Sequence, residues 1–442
     1  MEEMRGKVKK VLIFGLSSLY AGVEALILNY VNHLDENEYA VDLVVAERKP
    51  EIVDSQGVVN TPKNIADIIV KTTLAPLFSD EKFTEWDSYR IADICCGSGN
   101  FLLSAYEFII NRYIEYYMKN SLDMAIQKGL LISDVGNNFK LSYEKKREIL
   151  RNNIWGVDID ILAVEVAKFS LLIKLIEDSS LYEMESFAKN NNCRILPSLD
   201  NNIKNGNSLV DEKYIEFNSN ILNDPEMVEK IKINWENEFA GEKFDAIVGN
   251  PPYIRVQNMV HFSENEYEYY KSAVSKYETA KSDLLDKYFL FMEKGLQLLK
   301  PKGKMGYIIP HKFMLIKSGT SLRKLLSEKK YVKQIIHFGT EQVFKGRSTY
   351  TCLLFIEKNE RKTFEIGFVK DINRFYATES AEMKEYPIEY LSAAPWTFLS
   401  NEIVQTLEKK RDKCQPLDSL ADIFVVQIQY ILLNRNQRKT VL

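Results

Sequence analysis

Near the middle of the 442-residue chain an apolar run, Phe244-Asp245-Ala246-Ile247-Val248-Gly249, ends in Asn250-Pro251-Pro252-Tyr253. Two consecutive prolines fix the backbone and remove two N–H donors. What remains are acceptors, the Asn250 side-chain oxygen and the Pro251 carbonyl, beside an aromatic face. Two acceptors suit the two hydrogens of a planar amino group. Bonding to both draws the nitrogen lone pair out of conjugation, so that it can attack a methyl group. Tyr253 can stack on the flat ring that carries the amine. As a plain turn the tetrapeptide is over-specified.

A second constellation, Ile91-Ala92-Asp93-Ile94-Cys95-Cys96-Gly97-Ser98-Gly99-Asn100, runs from an apolar strand through a tight loop into a helix. Gly97 and Gly99 let backbone turn sharply or approach a ligand closely. Taken alone, this loop reads equally as a cofactor cradle or a tight turn. It lacks the third glycine of a dinucleotide fingerprint and the Lys-Ser/Thr of a P-loop. Further on, Ile154-Trp155-Gly156-Val157-Asp158-Ile159-Asp160 places an acid at a second strand end, where Asp158 can accept hydrogen bonds from a ribose diol. Asp160 then serves as the cap of a helix from Ile161. A third strand end, Lys204-Asn205-Gly206-Asn207, brings Asn207 near the same rim, able to read an adenine edge.

The elements that must position these groups alternate. Apolar runs predict strands over Ile91–Cys95, Ile154–Val157, Ala246–Val248, Met305–Ile309, Val332–His337 and Tyr350–Ile356. Helical spacing predicts Phe101–Lys119, Ile161–Ile176 and Leu284–Leu299 between them, and an insertion near 121–152 has its own helical pattern at Tyr143–Arg151. This is a doubly wound α/β pattern. Three regions follow: a strand–helix–strand piece over 1–50 (Lys9–Phe14, Val23–Leu34, Val41–Val45), an α/β domain over 51–380, and the start of a further region over 381–442.

Composition narrows the classes. With 45% hydrophobic and 27% charged residues the chain is globular rather than disordered. No apolar run approaches the roughly 18 residues a bilayer span needs. The start, MEEMRGKVKK, lacks the order of a secretion signal, so a cytoplasmic location is expected. Five cysteines and four histidines show no metal-ligand spacing, so no metal is expected. A net charge of −4 confines any nucleic-acid contact to a local surface. One stretch is locally basic: Lys300–Gln334 holds ten Lys or Arg against Glu328 alone, a balance of +9. It reads either as a solvated face or as a phosphate-contacting one.

The ordered series resembles the gamma-class N6-adenine DNA methyltransferases of type I and type IIG restriction–modification systems. The likeness begins upstream, at Gly57-Val58-Val59-Asn60-Thr61-Pro62, and continues through Lys300-Pro301-Lys302-Gly303 to Tyr350-Thr351-Cys352. It implies the S-adenosylmethionine-dependent methyltransferase fold, a mixed sheet with helices on both faces plus helical insertions. It also implies transfer of a methyl group from S-adenosyl-L-methionine to the N6 amine of a flipped adenine. By this resemblance Thr61 contacts the methionine end of the cofactor, and Asp93, Cys95, Gly97 and Gly99 hold its methionine portion. Asp158 takes the ribose and Asn207 the adenine; Asn250, Pro251, Pro252 and Tyr253 form the catalytic motif, with Tyr350 and Tyr253 stacking on the base. Double-stranded DNA is the implied partner, together with a specificity or restriction subunit. Ile94 stands where the family usually has Pro, and Asn207 where it often has Asp.

The first 47 residues resemble the opening of a GT-B glycosyltransferase, but the second Rossmann-like domain that binds a sugar donor there has no counterpart here. Two other readings stay open. A methyltransferase acting on a protein glutamine shares the Asn-Pro-Pro-Tyr motif, although Thr61-Pro62 and the insertions favour DNA. A truncated or rearranged remnant, needing a partner for DNA recognition, is suggested by the foreign first segment and by the tail after Phe424.

Overall fold

The computed structural model describes residues 9–17 and 39–46, and residues 60–398 apart from 134–137, 220–234, 236–238, 240, 242, 282–284 and 345–348. Strands β1 (Lys9–Ser17) and β2 (Tyr39–Ala46) pair in parallel as a two-stranded sheet. The helix expected at Val23–Leu34 and the tail beyond 398 lie outside the described residues.

The main sheet has nine strands. In chain order they are β3 (Ile91–Asp93), β6 (Ile154–Asp158), β7 (Ile203–Asn205), β8 (Phe244–Gly249), β9 (Leu299–Pro310), β10 (Val332–His337), β11 (Thr351–Glu357), β12 (Thr363–Phe368) and β13 (Met383–Pro387). The two numbers skipped, β4 (Leu131–Ser133) and β5 (Phe139–Leu141), form a short antiparallel hairpin in the insertion. The spatial order is β13-β12-β10-β11-β9-β8-β3-β6-β7.

Strands β7, β6, β3, β8 and β9 run parallel, while β11 is antiparallel to both β9 and β10. All five parallel strands therefore end on one rim, and the antiparallel β11 starts there. In the central strands Ile91, Ala92, Ala246, Ile247 and Val248 are all buried, as expected of a sheet covered on both faces. This is the mixed, doubly wound α/β sheet that the alternation predicts. Strands β12 and β13 extend it beyond the strands foreseen, and β13 lies past the 380 boundary. Trp396, a little further on, packs its ring 5.6 Å from Phe313.

Seven helices matter for the site. They are α1 (Lys63–Leu74), α2 (Asn100–Asn120), α3 (Tyr143–Asn153), α4 (Ile161–Ile176), α5 (Glu264–Lys271), α6 (Lys287–Leu298) and α7 (Thr320–Lys329). Helix α4 has the expected bounds and is capped by Asp160, whose side chain accepts from the Leu162 N–H at 2.9 Å. Helix α2 buries Phe101, Leu102, Ala105, Ile109 and Tyr113, a three-to-four-residue stripe facing the core. The Tyr106 hydroxyl donates to the Lys146 carbonyl at 2.9 Å and ties α2 to α3 of the insertion. Two glycines permit close packing: a Cβ on Gly306 of β9 would meet Thr73 Oγ1 of α1 at 2.1 Å, and one on Gly99 would meet Ala167 Cβ of α4 at 2.9 Å.

Candidate active site

Strand β3 delivers Asp93 to the rim, 1% exposed. Its Oδ1 accepts from the Cys95 N–H at 3.0 Å, and no described residue donates to its Oδ2. Burial pushes the Asp93 carboxyl up to about 7. The loop that follows places Gly97 at φ +51° and Gly99 at φ +88°, the left-handed region that glycine enters without steric cost. The Gly97 N–H donates to Asp158 Oδ2 at 2.8 Å, and Asp158 Oδ1 accepts from the Asp160 N–H at 2.9 Å. The acid ending β6 thus clasps the glycine loop after β3, while Asp160 caps α4. Burial pushes Asp158 up as well. A Cβ built on Gly97 meets nothing within 4 Å, so the loop has an open side. Burial holds the thiols of Cys95 and Cys96 well above their ordinary range, which keeps them protonated and poor nucleophiles.

The Asn-Pro-Pro-Tyr corner stands beside this loop. Strands β3 and β8 are neighbours, with Ile91 opposite Ala246 and Ala92 opposite Ile247. Further along, Gly249 comes against Asp93: a Cβ on Gly249 would lie 2.7 Å from Asp93 Oδ1. Asn250 follows, and its Nδ2 donates to Thr61 Oγ1 at 3.0 Å. Thr61 is 4% exposed, and its carbonyl accepts from Asn100 Nδ2, the first residue of α2, at 2.7 Å. Tyr253 is fixed by its hydroxyl, which donates to the Ile308 carbonyl of β9 at 3.0 Å, and its ring meets Tyr288 edge-on at 5.9 Å. Thr61, Asp93, the glycine loop, Asp158 and Asn250 are therefore linked by direct contacts along one stretch of rim.

Asn207 lies on the same rim, one turn after β7, and is 6% exposed. Its Oδ1 accepts from the Leu209 N–H and its Nδ2 donates to Glu266 Oε1, both at 3.0 Å. Glu266, on α5, also accepts from the Tyr270 hydroxyl at 2.9 Å and from Lys287 Nζ at 3.1 Å. Sequence reasoning missed Glu266, since nothing in Glu264-Asn265-Glu266-Tyr267-Glu268 separates one acid from its neighbours.

Tyr350 stands just before β11, two strands from β8, and is 39% exposed. It ends a ladder of rings: Tyr350 stacks on His311 at 6.0 Å, His311 on His337 at 4.2 Å, and Phe368 lies 5.2 Å beyond. Burial lowers both imidazoles, His337 to about 4, so the ladder is uncharged near neutral pH.

The basic stretch is not one open face. Arg323 is 2% exposed and donates to the carbonyls of Phe313, Ile316 and Ala393. Lys304 is buried against Glu357, Lys312 pairs with the buried Asp286 at 2.8 Å, and Lys300 pairs with Asp245 at 2.8 Å. Among the described residues no cluster of His, Cys, Asp and Glu could hold a metal ion, and no helix is long and apolar enough to cross a membrane.

The chain is 36% identical over 376 residues to the type II restriction enzyme and methyltransferase RM.Eco57I of Escherichia coli, covering 84% of this chain and 35% of that protein. It is 23% identical over 457 residues to the putative type II restriction enzyme and methyltransferase RM.MjaORFECS2P of Methanocaldococcus jannaschii, covering 74% and 35%. The chain thus spans about a third of the length of these relatives. In three dimensions it is similar to the DrdV protein of a DrdV–DNA complex, with a TM-score of 0.51 at 14% identity over 76% of this chain and 31% of that one. That likeness bears on the fold alone, a mixed α/β sheet with helices on both faces. Residues 152–344, which hold Asp158, Asn207 and the Asn250–Tyr253 corner, match the Eco57I restriction-modification methylase family.

Proposed function

We propose that this chain is a site-specific DNA methyltransferase of a restriction–modification system, acting in the cytoplasm on the N6 amine of adenine in double-stranded DNA. The observation that carries the reading is the contact of the two chemical tips, Gly249 lying against the Asp93 carboxylate so that Asn250 borders the glycine loop. The residues present fit S-adenosyl-L-methionine: a buried carboxylate oxygen on Asp93 without a described donor, a glycine loop open on one side, and an acid at the next strand end. Thr61, Asp93 and the Cys95–Gly99 loop would hold its methionine portion, Asp158 its ribose and Asn207 its adenine. Bound there, it would supply a methyl group on a sulfonium centre, open to direct displacement.

The chain's own residues would then do three things. Asn250 Oδ1 and the Pro251 carbonyl would accept the two hydrogens of the amine and turn its lone pair toward the donated methyl group, and the proton given up by the nitrogen would leave to solvent. Tyr253, held by its bond to Ile308, stacks on the base, with Tyr350 as a second ring. The rigid corner keeps these acceptors in place, so catalysis is positioning and preorganised hydrogen bonding. An adenine inside a duplex has to be flipped out, at a cost of a few kcal/mol that stacking and edge contacts offset. Sequence recognition, and any nuclease, would come from a specificity or restriction subunit or from further chain.

Transfer of labelled methyl from S-adenosylmethionine to genomic DNA tests this. Label is expected in N6-methyladenine, and Asn250→Ala should lower the rate by about 10³-fold. Label found only on a protein glutamine, or cofactor binding without transfer to any DNA, would overturn it.

A further inference from the structure

We infer that Thr61 is a positioning residue whose hydroxyl sets which end of the Asn250 amide meets the methyl-accepting amine. The inference rests on the reading above and assigns Thr61 a task beyond contact with a cofactor. The two ends of an Asn amide are nearly identical in shape and opposite in chemistry, one an acceptor and one a double donor. Half a turn about the last side-chain torsion exchanges them. With the nitrogen outward, donor would face donor and the amine would be repelled; with the oxygen outward, it is bound and activated. The fixed Asn-Pro-Pro backbone does nothing to choose between the two.

One neighbour that distinguishes them is Thr61, whose Oγ1 accepts from Asn250 Nδ2 at 3.0 Å across 189 residues of sequence. Thr61 is held from two sides. It is buried, its carbonyl is bound by Asn100 at the end of the glycine loop, and α1, which starts just after it, lies hard against β9 at the Thr73–Gly306 contact. A hydroxyl has a single hydrogen. Once that hydrogen is given to an acceptor in the crevice, the oxygen can only accept, and the amide is held with its nitrogen toward Thr61 and its oxygen toward the amine. Filling of the methyl-donor side would thereby prepare the methyl-acceptor side.

The test reads the amide directly. In the full-length protein labelled with ¹⁵N at asparagine, the side-chain pair missing from Asn250→Ala identifies Asn250. Thr61→Ser should keep that pair, and S-adenosylhomocysteine should slow its exchange with solvent. Thr61→Val should shift it and speed its exchange; a pair unmoved by Thr61→Val overturns the inference. Turnover provides a second reading. Thr61→Val should lower kcat about 30-fold in the natural background, but less than about threefold in Asn250→Asp, whose two carboxylate oxygens are alike. Equal losses in the two backgrounds would mean that Thr61 acts on the cofactor alone, and would also overturn it. Because the resonance is seen without any transfer, failure of the methyltransferase reading, recorded as unlabelled DNA, is distinguishable from failure of this one.

Discussion

Two stretches of this molecule look equally rich in chemistry, and they are built in opposite ways. Along the rim between β3 and β8, polar groups converge on one another: Asp93 keeps an oxygen without a described donor, a Cβ on Gly97 would meet nothing within 4 Å, and Gly249, next to Asn250, lies against Asp93. Over Lys300–Gln334 much of the polarity turns inward, with Arg323 binding three carbonyls and Lys300, Lys304 and Lys312 each paired with an acid. The difference teaches that charge density in a sequence says little about where charge points. Residues that constrain backbone, such as Gly249 and Pro251, say much more.

The contrast can be broken at its strongest point with Arg323→Leu. If Arg323 is an internal tie, losing it strands the Phe313, Ile316 and Ala393 carbonyls and should cost about 3 kcal/mol in urea unfolding. A loss of DNA affinity at unchanged stability would instead make it a phosphate contact.

Asp93→Asn sharpens the other side. Burial raises the Asp93 pKa from 3.8 to about 7, so the folded protein holds this proton over a range where the unfolded chain has lost it. Its contribution to stability is therefore complete below about pH 4 and is lost as pH rises toward 7. Wild type should lose about 1 kcal/mol per pH unit relative to Asp93→Asn across that window, as followed by denaturation at several pH values. A difference that does not vary with pH would show that the carboxyl is solvated rather than buried against the corner.

The smallest effect belongs to Lys324→Gln. Its pair with Glu328 is exposed and 3.8 Å long, so unfolding should change by less than about 0.5 kcal/mol. If the salt dependence of DNA binding weakens in this variant, the exposed part of the basic stretch does face phosphate.

The legible parts of the fold were those in which one residue type restricts the backbone or one period dominates. Helix α4 could be bounded because Asp160 caps a long apolar run, and the corner because Asn250-Pro251-Pro252 follows a buried strand. Strands β12 and β13 were missed because they belong to the sheet's margin, where exposed residues such as Glu365 and Lys384 weaken the apolar signal. Glu266 and Arg323 were invisible for another reason. Nothing in a string of acids or bases marks the one that packing will bury. The Thr61–Asn250 bond is longer in range still, since it exists only after α1 is laid against β9.

The two margins of the main sheet carry a consequence of their own. At one end β7 offers only three residues, and at the other β13 presents Lys384 and Glu385 to water and closes with Pro387. Short length, charge and a missing N–H each discourage a stray strand from docking. The flanks thus resist zippering onto a second molecule, which is one way to stay unaggregated with nine strands in register.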